Sequence, residues 1–322
     1  MIDAPDGYVA LRERAALVAL PWLDRLTVVG SDRVDFLQGM LSNDVKKLAP
    51  GTGCPALLLT EQGKVVADLA VLATDDAMLL DGVEAALAAA KIALERFVVA
   101  DDVEIGPAAD APRAFALIGP EVAAALERLA IVVPEPLYGH VGGTSGGIAC
   151  HVVRVPGPGV GGVVCWVAGD AADAWAEHCR IVGGVPEASP DAFDVLRIES
   201  GLPRHGRDVT ADTLALEAPY DTAISFKKGC YLGQEVMERV TARGHVNRKL
   251  VGLAMADDVV PQPDTHLFAG DRDVGWVTSS ARSSRLGHAI ALGYVRREHL
   301  APGTVLTLGA GGPPVTVRAL PF

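Results

Sequence analysis

The segment Ser225-Phe226-Lys227-Lys228-Gly229-Cys230-Tyr231-Leu232-Gly233-Gln234-Glu235 sets a thiol between a glycine and an aromatic ring, directly after two lysines. The run from Tyr231 to Val240 reads as a helix, with Val236 and Val240 four apart on one face. Gly229 permits a tight or left-handed turn just ahead of it. A cysteine at a helix N-terminus beside ammonium groups is stabilised as the thiolate, which makes Cys230 a candidate nucleophile. The other reading is a small buried hydrophobe, the commoner fate of a free cysteine.

Outward from this segment, 322 residues give room for two or three domains. Half the residues are hydrophobic and aromatics are scarce, so Ala, Val and Leu must fill the core. A formal charge of −12 argues against a non-specific nucleic-acid or anionic-membrane binder, since both need positive surface. Lys227, Lys228, Arg239, Arg243, Arg248 and Lys249 do cluster, but Glu235 and Glu238 interleave with them and a solvated face is the plainer reading. Glu235 and Arg239 stand at i and i+4 in the orientation that supports a helix.

The five cysteines (54, 150, 165, 179 and 230) show no C-x-x-C spacing, and Met1 to Val18 is broken by Asp3, Asp6, Arg12, Glu13 and Arg14. That pattern predicts free thiols in a reducing cytoplasm, with no signal peptide. No apolar run reaches membrane-spanning length, and no zinc or cluster-ligand spacing occurs. Cys150-His151 lies inside a strand-like run and reads as packing.

Three stretches repeat one pattern of strand, glycine, polar step and amphipathic helix. They are Leu26–Val29 into Val34–Met40, Phe115–Ile118 into Val122–Leu129, and Val163–Val167 into Ala171–Arg180. Asp, Glu or Ser stands at each helix start, and Pro120 reads as a first helical residue. Ala56–Thr60, Lys64–Thr74, Ala77–Asp81 and Val103–Gly106 read as strands and Glu84–Phe97 as a helix. Val133–Gly147 and Pro186–Pro190 read as linkers. From about Leu250 the texture becomes short strands with turns at Val259–Pro263, Gly270–Asp273 and Ser279–Ser284. The fold class is therefore α+β, antiparallel sheets with packed helices, closed by a C-terminal all-β barrel.

Two carboxylates stand on apolar faces. The helix from Ser189-Pro190 to Gly201 carries Glu199 on the stripe of Ala192, Val195 and Leu196. Burying a carboxylate unpaired is costly, so Glu199 needs a cation, backbone donors or a ligand; a helix-end pairing with Arg204 or Arg207 is the structural alternative. Asp68 shares a strand face with Val66, Ala70 and Leu72, and aspartate is a poor strand former. Either it serves a site or it lies on an edge strand facing water.

Lys228-Gly229-Cys230-Tyr231-x-Gly233-Gln234-Glu235 resembles the signature of the YgfZ-type folate-binding proteins, relatives of the aminomethyltransferase (T-protein) of the glycine cleavage system. Arg239, Arg243-Gly244 and Asn247–Leu250 continue it, and Arg197-x-Glu199-x-Gly201-x-Pro203 is similar to a motif of the whole superfamily. Phe36–Gly39 with Asn43-Asp44, Gly275–Ser279 and Ala289–Val295 resemble the family's opening helix and closing barrel.

The resemblance implies tetrahydrofolate as cofactor or substrate and a role in iron–sulfur cluster assembly or repair, with assembly proteins or client enzymes as partners. A folate-dependent aminomethyl or one-carbon transferase of the T-protein type is the alternative, and a folate-gated scaffold a third. It also implies a discontinuous folate-binding domain (1–50 and 112–245), an inserted domain (51–111) and a barrel (246–322). By the same resemblance Glu199 meets the pterin, Asp68 lies near folate's reactive nitrogens, and Lys228, Arg239, Tyr231 and Gln234 line the ligand beside Cys230. His205 stands where relatives often carry tyrosine, which puts that contact in doubt.

Overall fold

The computed structural model describes residues 4–257 and 259–322; Met1, Asp3 and the side chain of Arg243, quoted above, lie outside the described set. The chain opens with α1 (Tyr8–Glu13), β1 (Ala16–Ala19), β2 (Leu23–Val29), α2 (Arg33–Met40), β3 (Gly53–Leu59), β4 (Val65–Ala73), β5 (Met78–Val83), α3 (Glu84–Glu95) and β6 (Glu104–Pro107). It continues through β7 (Arg113–Ile118), α4 (Val122–Arg128), β8 (His140–Ser145), β9 (Ile148–Val155), β10 (Gly162–Val167), α5 (Ala172–Ile181), α6 (Pro190–Glu199) and α7 (Gln234–Arg243). Last come β11 (Arg248–Met255), β12 (His266–Ala269), β13 (Arg272–Ser283), β14 (His288–Arg296), β15 (Val305–Leu308) and β16 (Pro314–Arg318).

These strands form two five-stranded antiparallel sheets, ordered β1-β7-β10-β9-β8 and β3-β4-β5-β2-β6, and a closed barrel ordered β11-β14-β13-β12-β15-β16. The α+β architecture with a terminal barrel is as the residue pattern predicts. The sheets do not divide at residue 50: β1 pairs with β7, whereas β2 pairs with β5 and β6. No helix among the described residues is long and apolar enough to cross a membrane.

Several local expectations give way to tertiary context. The supposed linker Val133–Gly147 holds β8, an edge strand whose Gly142 and Gly143 have nothing within 4 Å of an added Cβ. An edge strand tolerates glycine because one side has no neighbour to pack against. The turn expected at Ser279–Ser284 is absent; β13 runs through it after a register shift between Val277 and Ser279. Pro120 precedes α4 rather than opening it, and the N-cap is Glu121, without a side-chain cap bond. Asp32 likewise makes no cap bond; its carboxylate accepts the Asp102 N–H at 2.8 Å. α3 and α4 begin at Glu84 and Val122 as read, and α6 also has its expected caps: Ser189 Oγ accepts the Ala192 N–H at 3.1 Å, Pro190 follows, and Gly201 ends the helix at φ 72°.

The two open sheets meet at a polar row. Arg25 on β2 holds Asp81 on β5 through two bonds of 2.5 and 2.7 Å. Its third nitrogen lies 2.8 Å from Nδ1 of His151 on β9, and His151 Nε2 lies 2.9 Å from Nδ1 of His140 on β8. A guanidinium only donates, so His151 accepts at Nδ1 and donates from Nε2, and His140 accepts at Nδ1. Trp166 covers the guanidinium at 4.5 Å from its ring centroid. Cys150-His151 is thus more than packing on its histidine side.

Burial, then the Arg25 charge and His140, depress the His151 pKa to about 3. Below its unfolded pKa of about 6.5 the unfolded chain binds a proton that the native state refuses. Stability should therefore fall as pH drops from about 6.5 toward 3, by up to ~1.4 kcal/mol per pH unit from this one site. His151→Gln, which keeps a donor and an acceptor, should remove that part of the slope in urea unfolding at stepped pH; an unchanged slope would place the acid sensitivity elsewhere.

Candidate functional site

Along β4, Val65, Ala67, Leu69 and Val71 are buried, and Val66, Asp68 and Ala70 are half-buried on the opposite face. The first face packs with Ala86, Leu87 and Ala90 of α3. β4 lies between β3 and β5, so Asp68 is not the edge-strand residue that its sequence context left open. It faces the segment that follows α6. Asp68 Oδ2 accepts the Tyr220 hydroxyl at 3.0 Å. Its Oδ1 lies 3.1 Å from Nδ1 of His205, yet both atoms are buried without an aligned hydrogen-bond partner. Proximity without alignment leaves both with unspent bonding capacity.

The surroundings keep the neighbouring groups neutral. Burial first, then the Asp68 charge, pushes the Tyr220 phenol well above its usual pKa, so it remains a donor. Tyr138 is pushed up to about 12 by burial, with the fields of Cys54 and Asp68 adding. Burial also raises the Cys54 thiol to about 12, with Lys228 opposing. Toward the barrel, Arg248 stacks over Trp276 at 4.7 Å and Tyr294 at 5.4 Å and pairs with the buried Glu217 at 3.0 Å.

His205 is held by its turn. The Arg204 N–H donates to Asp208 Oδ2 at 3.0 Å, and the Gly206 N–H to the Val209 carbonyl at 2.8 Å. Asp208 is fixed in turn by Arg197 and by Thr278 Oγ1 at 2.5 Å, while Arg197 Nη2 donates to Ser279 Oγ at 2.7 Å. A carboxylate with one uncommitted oxygen beside a partly uncommitted imidazole can take up, pass or release a proton.

Other expected site residues are placed differently. Glu199 is 1% exposed and fully engaged within the protein. Its Oε1 accepts Tyr8 Oη at 2.6 Å and Ser283 Oγ at 2.5 Å; its Oε2 accepts Arg12 Nη1 at 2.8 Å and faces Arg285 Nε at 3.6 Å. It therefore has the partner that burial demands, but the cations are Arg12 and Arg285, while Arg204 and Arg207 turn to Asp194. Three hydrogen bonds and one ion-pair approach thus account for its burial without a ligand.

Lys228 is also committed. Its ammonium donates to the carbonyls of Gln38, Leu41 and Asn43 at 2.5, 2.5 and 3.0 Å, in the last turn of α2 and just past it, where carbonyls lack helical partners. Burial holds its pKa down at about 8, against the pull of Asp44 and Cys54. Tyr231 is buried with Leu57, Leu59, Val65 and Met237. Gln234 Oε1 accepts the Tyr231 N–H at 3.2 Å, and its amide donates to Glu238 at 2.6 Å.

The helix begins at Gln234, three residues later than read, because Gly233 and not Gly229 takes the left-handed turn, at φ 85°. Cys230 is thus neither at a helix N-terminus nor buried; it is exposed, and no polar contact among the described residues joins it to Asp68. Arg239 lies on the exposed side of α7. The structure brings together Asp68, His205 and Tyr220. Sequence reading missed Tyr220, and noted His205 only as a departure. A signal for the Arg197–Asp208 anchor was present: Arg197 stands between Leu196 and Ile198, in the apolar C-terminal half of its helix.

Comparison with known proteins fits this geometry. Residues 5–228 match the GCVT N-terminal domain, and residues 248–322 match the glycine cleavage T-protein C-terminal barrel domain. The chain belongs to the glycine cleavage T-protein family. It is similar to the aminomethyltransferase of Synechococcus sp., 29% identical over 97% of this chain and 88% of that protein. The aminomethyltransferase of Streptomyces coelicolor is likewise 29% identical, over 98% of this chain and 88% of its own length. Glycine cleavage system aminomethyltransferase T from Bartonella henselae shares the fold, with a TM-score of 0.87 and 24% identity over 98% of this chain and 88% of that one.

Replacing Glu199 with Gln should cost about 2–4 kcal/mol of stability, since it strands Arg12 in a partly buried pair. Calorimetry of the folded variant with tetrahydrofolate tests the pterin contact that the resemblance implies: a loss of binding assigns Glu199 to the ligand, and unchanged binding leaves it to its protein partners. Lys228→Met should cost about 1–3 kcal/mol by leaving three carbonyls uncapped, read by urea unfolding, with ligand affinity retained when folded.

Proposed function

We propose that this protein is a tetrahydrofolate-dependent one-carbon transferase of the T-protein type, with Asp68 at the reacting centre. The observation that carries the reading is the pair of buried, unaligned atoms Asp68 Oδ1 and His205 Nδ1 on a half-buried face of an interior strand. A carboxylate and an imidazole with unspent bonding capacity suit a nitrogen-rich ligand. The curated relatives covering most of the chain are named aminomethyltransferases, which supports the same class.

In this reading Asp68 and His205 hold the ligand's nitrogens, and bound tetrahydrofolate supplies the amine that accepts a one-carbon unit from an amine carrier. Tyr220 keeps one Asp68 oxygen occupied and so orients the other. Asp68 is ionised when it holds an N–H, and that charge favours positive charge developing on a nearby nitrogen. Arg239, on an exposed helix face, is placed to meet folate's anionic glutamyl tail, and a fall in affinity with rising salt would support that contact.

A second reading, an iron–sulfur assembly or repair factor of the YgfZ type, draws on one observation: Cys230 is exposed, whereas Cys150, Cys165 and Cys179 are buried and Cys54 half-buried. On the transferase reading, the protein should release ammonia with an aminomethyl carrier and tetrahydrofolate, and Asp68→Asn should lower kcat by about 100-fold or more with the fold intact. Cys230→Ala should leave that turnover unchanged. Absence of turnover, together with complementation of cluster-enzyme activity that Cys230→Ala abolishes, would favour the second reading.

A further inference from the structure

We propose that Asp68 and His205 act as one acid–base pair, and that Nε2 of His205 is the atom that exchanges a proton with a nitrogen-bearing ligand. The ligand class rests on the folate reading above; the pair itself does not.

The geometry assigns the two ring nitrogens different tasks. Nδ1 is buried and lies 3.1 Å from Asp68 Oδ1, out of line, so a small ring rotation converts proximity into a hydrogen bond. Among the described residues Nε2 makes no hydrogen bond, and unlike Nδ1 it is not one of the fully buried, unpartnered atoms, so it is the ring nitrogen left accessible to a ligand. A carboxylate on Nδ1 fixes the Nδ1–H tautomer and leaves the Nε2 lone pair free to accept.

Nearby charges do not compete for the imidazole. Arg204 stacks on Trp22 at 4.1 Å, Arg207 pairs with Asp194 at 2.8 Å, and Asp208 is taken by Arg197. Tyr220 donates to the other Asp68 oxygen, and Tyr138, which feels the Asp68 charge, stays protonated at neutral pH, as does Cys54. Among the described groups, Asp68 is the ionic partner left for His205.

The step balances without an outside reagent. The ligand's N–H bond breaks, its electron pair stays on the ligand nitrogen, and an Nε2–H bond forms. The imidazolium charge is then held by the Asp68 carboxylate through Nδ1–H. The proton leaves Nε2 for water or for a departing amine, which returns the pair to its starting state. Asp68 alone would be a carboxylate against a ligand; with His205 it becomes a base with a second, outward-facing proton site.

The test is nitrogen NMR of the full chain labelled at histidine, with His205→Gln assigning the resonances. In the wild type His205 should show the Nδ1–H tautomer, and in Asp68→Asn it should revert to Nε2–H. An Nε2–H tautomer in the wild type, or a pattern unmoved by Asp68→Asn, overturns the pair. Added tetrahydrofolate should shift the Nε2 resonance, and binding seen by calorimetry without that shift overturns the exchange role. No folate binding with the tautomer switch intact supports the pair and sinks the folate reading instead. In turnover, His205→Gln should lower kcat by about 100-fold with KM changed less than about threefold, as for a proton carrier acting in the transition state; an unchanged kcat overturns the role.

Discussion

The buried ion pair of Arg197 and Asp208 is the constraint on which the rest of the site depends. Arg197 reaches Asp194 on its own helix, Asp208 in the following turn and Ser279 on the barrel strand β13. Asp208 returns bonds to Thr278, to the Arg204 N–H and, through its carbonyl, to the Tyr294 hydroxyl. Both partners are almost wholly buried, so losing either would leave an uncompensated charge in the interior, which is far more costly than never having had the pair. The pair therefore fixes the orientation of the turn between α6 and the barrel. His205 sits in that turn, and its position over β4 follows from the anchor rather than from any contact of its own.

The second constraint lies between the two open sheets. Asp68 and Asp81 are on one face of the sheet, since Ala70, two residues from Asp68, stands opposite Asp81. At Asp81 the face is closed by Arg25, His151 and His140, a chain with each donor matched to an acceptor up to its last ring nitrogen. At Asp68 the same face is left partly open. Polar residues on one sheet face thus do two jobs, one locking sheet to sheet and the other presenting unspent hydrogen-bonding capacity.

Glu199 and Lys228 show how a sound physical expectation can name the wrong partner. A carboxylate on an apolar helical stripe must be paired, and Glu199 is, by three hydrogen bonds and a further arginine; but its partners come from the first helix and from the end of β13 and just past it, remote in sequence. A lysine beside a reactive-looking thiol invites a role toward that thiol. Lys228 instead spends all three donors on carbonyls at the C-terminal end of α2 and just past it, and so anchors the exposed loop that carries Cys230. In each case the local pattern fixed the need and distance in sequence hid the answer.

Sequence alone determined most element types, the antiparallel α+β class, the closing barrel and the T-protein superfamily, because hydrophobic periodicity, turn residues and the motif Arg197-x-Glu199-x-Gly201-x-Pro203 are local properties. It also singled out Asp68, since a carboxylate in an apolar strand is anomalous wherever that strand lies. Tertiary structure decided what local patterns cannot encode. Whether β4 is an edge or an interior strand depends on β3 and β5 together; whether glycines at 142 and 143 form a linker or a strand depends on β9. That His205 meets Asp68 across 137 residues depends on a turn held by Arg197, Asp208 and the barrel. Hydrogen bonds and ion pairs over such separations are made by packing, and periodicity in the chain carries no record of them.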